Sequence, residues 1–70
     1  MNIQTNFRIA RIKAGYSQKE VAEKLFVTPS VICYYETKRL APLDMAMEIA
    51  DIYNISLDEL VGRNYERNKE

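Results

Sequence analysis

The 70 residues predict one small domain, and a hydrophobic fraction of 47% is too high for a disordered chain. Two glycines and two prolines allow few hairpin turns, which favours helices over a many-stranded sheet. One cysteine with no histidine excludes both a disulfide scaffold within the monomer and a zinc site. The net charge is zero, the first residues show no signal-peptide pattern, and no apolar run approaches the ~20 residues of a membrane span, so we expect a soluble cytoplasmic protein.

The first two predicted helices are marked by apolar spacing and by end signals. The first runs from about Thr5 to Ala14, and Gly15 follows it as a stop. One face of this helix repeats at i, i+3, i+4 and i+7, through Phe7, Ala10, Arg11 and Ala14. The second helix begins at Ser17, which forms a capping box with Glu20. Its buried stripe is predicted to be Val21, Ala22 and Leu25.

The third predicted helix begins at Thr28, a good N-cap residue. Pro29 then occupies the first helical position, where the missing N–H would have been unpaired anyway. The helix extends to about Tyr35 or Glu36. Its inward residues are predicted to be Val31, Ile32 and Tyr35. Its outward residues are predicted to be Pro29, Ser30, Cys33 and Tyr34.

The fourth predicted helix begins near Pro42, and the fifth is a short one. Ser56 and Glu59 form a second capping box at the start of the fifth helix, and Gly62 ends it. The inward stripe of the fourth helix is predicted to be Leu43, Ala46, Ile49, Ala50 and Tyr53. The apolar residues of the fifth helix are Leu60 and Val61.

The charges are divided unevenly along the chain. Residues 1–40 hold seven basic and three acidic side chains, whereas residues 41–70 hold three basic and seven acidic ones. This division indicates one side suited to a polyanion and one side that faces away from it, although a chance asymmetry of a solvated surface would look the same. We expect residues 1–62 to form the domain and residues 63–70 to form a polar tail.

Only Phe26 and Val27 separate the second helix from the third. Two capped helices joined by so short a turn form a helix-turn-helix, in which the second helix projects its N-terminal residues into the major groove of DNA while the first crosses the backbone. The free amides at both helix starts would meet phosphates, which the helix dipole also favours.

An ordered set of residues at helical spacing resembles the Cro/cI (XRE-type) repressor family over about residues 6–61. The matching positions are residues 17–25, Val27, Thr28, Ile32, Tyr35, Glu36, residues 43–46, Ile49, Ala50 and residues 55–60. The resemblance implies an all-α, compact five-helix, lambda-repressor-like domain. It also implies a transcriptional regulator, a repressor or autoregulator, that binds double-stranded DNA as a homodimer and reads a short palindromic operator.

The resemblance further implies roles for individual residues. Base contacts are expected from Thr28, Pro29, Ser30 and Tyr34. Phosphate contacts are expected from the start of the second helix and from the loop after the third, through Ser17, Gln18, Lys19, Thr37, Lys38 and Arg39. A structural ion pair is expected between Arg11 and Glu36. The homodimer surface is expected opposite the reading head, at Tyr53, Ile55, Leu60, Val61 and Tyr65.

The sequence departs from the family pattern in both turns around the third helix. Phe26 stands where the family usually has glycine, and because phenylalanine disfavours a positive φ, we expect a strained or differently shaped turn. The family usually has a second glycine two residues after the position of Glu36, where this chain has Lys38, which predicts a different loop after the third helix. The reading positions also lack Arg, Asn and Gln, so modest direct readout is expected, with some specificity from DNA shape.

Several alternatives remain open. Ile9 and Ile12 either thicken the core or form a patch for a partner. Cys33 has no neighbouring cationic run, which favours an inert thiol over a redox switch. The competing function is a protein-interaction module of the same fold, such as an antitoxin or anti-repressor. Without histidine or room for a pocket, we expect no enzymatic activity, no cofactor, no metal and no small-molecule ligand.

Overall fold

The computed structural model describes residues 2–63, and this part of the chain is folded into five α-helices with no β-strand. The helices are α1 (Ile3–Ala14), α2 (Gln18–Leu25), α3 (Pro29–Thr37), α4 (Leu43–Tyr53) and α5 (Leu57–Val61). The predicted all-α class and the number of helices are therefore confirmed over the described residues. Residues 64–70 of the predicted tail, with Tyr65, lie outside them.

The beginning of α1 lies two residues before the predicted one. Asn2 is the N-cap, and its Oδ1 accepts hydrogen bonds from the backbone N–H groups of Gln4 (2.8 Å) and Thr5 (3.3 Å). Two otherwise unpaired amides are thereby satisfied, which stabilises an additional half turn before Thr5. The helix ends as predicted, with Gly15 in the left-handed conformation at φ 87°.

Both predicted capping boxes are present. Ser17 Oγ accepts from the Glu20 N–H at 3.0 Å, while Glu20 Oε1 accepts from the Ser17 N–H at 2.8 Å. Ser56 and Glu59 make the same pair of bonds at 3.0 and 3.2 Å. Thr28 lies at the N-cap of α3 but makes no side-chain capping bond.

The core is built from one face of each helix. Its buried apolar residues are Phe7, Val21, Ala22, Leu25, Ile32, Ala46, Ile49, Ala50, Tyr53 and Leu60. The predicted inward stripe of α4 is correct except for Leu43, which is 66% exposed. Leu43 continues the stripe by its spacing, but as the first residue of α4 it extends past the core and borders an open apolar groove.

The packing of the helices presents α2 and α3 as a unit on one side. These two helices pack closely on each other, and α1 lies against both α3 and α5, while α4 contacts α2 and α5. The position of α3 is thus determined by its contacts with α1 as well as by those with α2. None of the helices among residues 2–63 is long and apolar enough to cross a membrane.

Candidate nucleic-acid interface

The turn between α2 and α3 is closed by backbone hydrogen bonds from two consecutive residues. The Phe26 N–H donates to the Glu23 carbonyl at 3.4 Å, and the Val27 N–H donates to the Ala22 carbonyl at 3.0 Å. Phe26 adopts the left-handed conformation at φ 60° and ψ 42°. The turn therefore has the conformation that glycine would take, with a phenylalanine in its place. The strain predicted for this position has a structural basis.

The outer face of α3 is free of the core. Pro29, Ser30, Cys33 and Tyr34 are all exposed, and so is Thr28 before the helix. On the opposite face Ile32 and Glu36 are buried. All four residues predicted to contact bases therefore lie on the exposed side of the chain. This division follows from the 3.6-residue period of the helix, because the buried residues recur at i and i+4.

The predicted ion pair joins α1 to the end of α3. Arg11 Nε donates to Glu36 Oε2 at 2.7 Å, and Arg11 Nη2 donates to Glu36 Oε1 at 3.2 Å. The side chains are only 11% and 2% exposed, and the hydrogen bond to Glu36 raises the pKa of Arg11 above its ordinary value. Arg11 Nη1 also donates to the Tyr16 carbonyl at 2.9 Å. The charge of each partner is thus compensated where water has little access.

Gln18 belongs to the same buried network, which sequence reasoning missed. Its Nε2 donates to Glu36 Oε1 at 3.1 Å, so the first residue of α2 is tied to the last turn of α3. The side-chain nitrogen of glutamine carries two hydrogens and only one of them is used in this bond, so the other remains for a second partner. No buried side-chain nitrogen or oxygen among residues 2–63 lacks a hydrogen-bond partner.

The segment after Glu36 differs from the prediction. Thr37 is the last residue of α3 rather than part of a loop, and its Oγ1 donates to the Cys33 carbonyl at 2.8 Å. The N–H groups of Lys38 and Arg39 both donate to the Tyr34 carbonyl, at 2.8 and 3.2 Å. Without a glycine, the helix ends with Lys38 still in the right-handed region at φ −118°. Lys38 and Arg39 are exposed, as is Lys19 at the start of α2.

This geometry agrees with the comparisons with known proteins. Residues 7–60 match the family model described as helix-turn-helix. The chain belongs to the helix-turn-helix family. Over 65 residues it is 37% identical to the HTH-type transcriptional regulator ImmR of Bacillus subtilis (strain 168), a match that covers 91% of this chain and 51% of that protein. The chain therefore spans about half the length of this relative.

The family assignment bears on two expectations from the sequence. The resemblance to XRE-type repressors is confirmed by the family match and by the relative. The lambda-repressor-like architecture of this helix-turn-helix protein is confirmed by the five helices together with that match. Within residues 2–63 no group of three or more His, Cys, Asp or Glu side chains is placed to hold a metal ion.

The predicted dimer surface requires a correction at two residues. Tyr53 is 7% exposed and Leu60 is 0% exposed, so both are core residues of the helix-turn-helix monomer. The Tyr53 ring stacks on Tyr16 with centroids 5.9 Å apart, and its burial raises the pKa of its hydroxyl. Neither side chain is available to a second copy. Ile55 and Val61 are half-buried and stay candidates, while Tyr65 lies outside the described residues.

The question left open at Ile9 and Ile12 has a structural answer. The two side chains are 44% and 54% exposed, so they lie at the surface and add little to the core. Ile9 lines an open groove together with Ile55.

A separate apolar groove is lined by Val61 and by the exposed Leu40 and Leu43, among others. These grooves were not evident from the sequence, because each combines residues from distant elements.

Proposed function

We propose that this helix-turn-helix protein is a sequence-specific regulator of transcription that represses or autoregulates by binding a short palindromic operator. The observation that carries the proposal is the outer face of α3. Its N-terminal residues are exposed, while its inner face is held by a buried residue and a buried ion pair. An α-helix fits the width of the major groove, so a rigidly held helix with a free N-terminal face is suited to enter it.

The side chains on that face favour adaptable contacts with base edges. Ser30 carries a hydroxyl that donates or accepts, and the Tyr34 hydroxyl does the same at longer reach. Pro29 offers only an apolar surface, which suits a thymine methyl group. None of these groups makes the bidentate contacts that Arg, Asn or Gln make. We therefore infer that part of the specificity comes from the shape and deformability of the operator.

Phosphate contacts are proposed on either side of this face. Lys19 stands at the start of α2, and Lys38 and Arg39 follow α3, so exposed cations occur at both ends of the unit. The Ser17 hydroxyl accepts one bond within its capping box and keeps its own hydrogen to donate. The second amide hydrogen of Gln18 is similarly left for a phosphate, so its bond to Glu36 orients the amide for this contact.

We further propose that the protein binds as a homodimer. Because Tyr53 and Leu60 are in the core, the proposed surface is the apolar groove at Val61, continued by the exposed Leu40 and Leu43. A second copy that covers this groove would remove large apolar side chains from water. Two-fold symmetry would then present two copies of α3 to successive turns of one face of the DNA.

The experiment is selection of duplex DNA from a random pool by the purified chain, followed by titration across salt concentrations. We expect a short palindrome, bound with a steep fall of log affinity with log salt. The double variant Ser30→Ala, Tyr34→Ala should lose this preference. The matched control is Glu48→Ala, Asp51→Ala, which replaces two exposed residues of α4 and should bind as the wild type does. Recovery of no preferred sequence would contradict the proposal.

The second candidate is an interaction module, such as an antitoxin or anti-repressor. The exposed apolar side chains favour it, since several large ones lie on so small a surface, namely Phe26, Leu40, Leu43 and Met47. Weak binding to DNA of any sequence, combined with tight binding to one protein from the same cells, is the result expected from that function. Salt dependence separates the two, because only phosphate contacts release counterions.

A further inference from the structure

Phe26 combines a disfavoured backbone conformation with an unburied ring. Its φ of 60° lies in the left-handed region, where the β-carbon of an L-residue is crowded and glycine is not. Its side chain is 94% exposed and is not part of the hydrophobic core. The folded monomer therefore gains no burial from this ring in return for the conformation. Local strain of this kind clusters at binding and catalytic sites.

Three other helices end in the same conformation with residues suited to it. Gly15 and Gly62 end α1 and α5, and Asn54 ends α4, a residue type that tolerates positive φ. In all of these turns, as at Phe26, the N–H of the end residue donates to carbonyls of the preceding turn. Closing the turn therefore requires no phenyl ring. Among these four helix ends within residues 2–63, only the one that leads into α3 has a phenyl ring.

We propose that the ring of Phe26 is part of the DNA interface and makes an apolar contact beside the groove that receives α3. The inference rests on the proposed function. Phe26 precedes Thr28 by two residues and Pro29 by three, so an α3 that enters the groove by its N-terminal end brings this turn up to the DNA. The apolar groups that DNA offers there are the face of a deoxyribose and the C5-methyl group of thymine. A phenyl ring needs no hydrogen bond to either.

The position of the ring favours DNA over a protein as its partner. The turn is directly continuous with the reading residues, so a protein bound to the ring would compete with DNA for the same edge of the domain. The contact also adds to the small apolar surface of the reading face, where Pro29 and the ring of the exposed Tyr34 are the apolar groups. The turn is closed by two backbone bonds, which fix the direction of the Cα–Cβ bond of Phe26, so little backbone entropy is lost when the ring makes its contact.

The test compares wild-type protein with Phe26→Gly, Phe26→Asn and Phe26→Leu on the duplex recovered by selection. Gly and Asn suit the left-handed conformation, so both variants should have a higher Tm than the wild type. Despite that, both should bind the duplex about tenfold more weakly, because the apolar area that the phenyl ring buries against DNA is lost. The slope of log affinity against log salt should not change, because the ring neutralises no phosphate. Phe26→Leu should keep most of the affinity.

Replacement of single thymines by deoxyuridine distinguishes the two apolar partners. A position at which loss of the methyl group weakens the wild type but not Phe26→Asn assigns the contact to that methyl, and absence of any such position assigns it to deoxyribose. Equal affinity of wild type and Phe26→Asn for the duplex overturns the proposal. If that variant then also lost regulation in cells, the contact partner of the ring would be a protein instead of DNA. If the wild type binds no duplex at all, the proposed function is overturned, and the DNA contact of Phe26 with it.

Discussion

Gln18 Nε2 donates a hydrogen bond to Glu36 Oε1 across 3.1 Å, and this bond joins the beginning of α2 to the last turn of α3. The same carboxylate accepts two bonds from Arg11. Glu36 thus connects α1 and α2 to α3, and α2 and α3 are the two helices of the helix-turn-helix. An interaction at this position affects the angle between α2 and α3, so it links the stability of the domain to the geometry of its proposed DNA contacts.

Replacement of Gln18 by glutamate should destabilise the domain. The amide that donates to Glu36 becomes a second carboxylate beside it in a partly buried site, so a favourable bond is replaced by like-charge repulsion. We expect a loss of about 1–2 kcal/mol in the free energy of unfolding, measured by urea denaturation at neutral pH. The matched control is Gln4→Glu, the same change in the first turn of α1, which should cause little loss. Equal stability of the two variants would contradict the prediction.

Replacement of Arg11 by methionine should destabilise the domain more strongly. Methionine keeps much of the apolar stem but leaves the buried Glu36 carboxylate without its cation. Loss of one member of a buried pair costs about 3 kcal/mol or more, which for a domain of this size lowers Tm by roughly 10 °C or more. Arg8→Met, an exposed residue of the same helix, is the control. A Tm equal to that of this control would show that the pair contributes nothing.

Tyr53 predicts a loss of stability at alkaline pH. Its burial raises the pKa of the hydroxyl above the ordinary value of 10.0, because the core disfavours the phenolate. A hydroxyl whose pKa is raised by folding contributes its full stabilisation at pH values below its pKa in the unfolded chain. This contribution is lost as the pH rises past 10, because the unfolded chain then loses the proton more readily than the native state does. The free energy of unfolding should therefore fall between pH 9 and 11 by more in the wild type than in Tyr53→Phe. Urea titrations at both pH values measure the difference, and parallel falls would contradict it.

Lys38 should contribute to the salt dependence of DNA binding. Each phosphate that a lysine neutralises on B-DNA adds about 0.9 to the slope of log affinity against log salt. Lys38→Gln is expected to lower the slope by about one and to weaken binding to all sequences alike. Lys13→Gln, an exposed lysine on α1 outside the proposed interface, should leave the slope unchanged. Fluorescence anisotropy over a salt series makes the measurement, and identical slopes would exclude the phosphate contact.

Leu43 should affect self-association. A lysine at this position places a charge at the edge of the apolar groove that the second copy would cover. Leu43→Lys is expected to shift the dimerisation constant by about tenfold or more toward monomer in sedimentation equilibrium. Met47→Lys changes a side chain of the same helix that is 52% exposed and does not line the groove, so it should dimerise as the wild type does. If Met47→Lys dimerised more weakly and Leu43→Lys did not, the dimer interface would lie on another part of α4 than the groove.

The sequence by itself determined the five helices and most of their ends, and its pattern of residue types indicated the family. The capping boxes at Ser17 and Ser56 and the left-handed end at Gly15 depend on hydrogen bonds between residues no more than about four apart, so a local pattern of residue types is enough to predict them. The inward stripes follow from helical period in the same way. The pair of Arg11 and Glu36 was also correct, although it came from the resemblance and not from spacing.

Only the tertiary structure decided which of these residues are covered and what their polar groups bind. Leu43 and Tyr53 lie on one stripe of α4, yet the first is exposed and the second buried, because burial depends on which distant helices reach that part of the stripe. Leu60 was expected at a surface and is enclosed in the core for the same reason. Gln18 binds Glu36 although 18 residues separate them, and Phe26 remains in solvent at a strained turn. These outcomes depend on the packing of segments far apart in the chain, which no local pattern encodes.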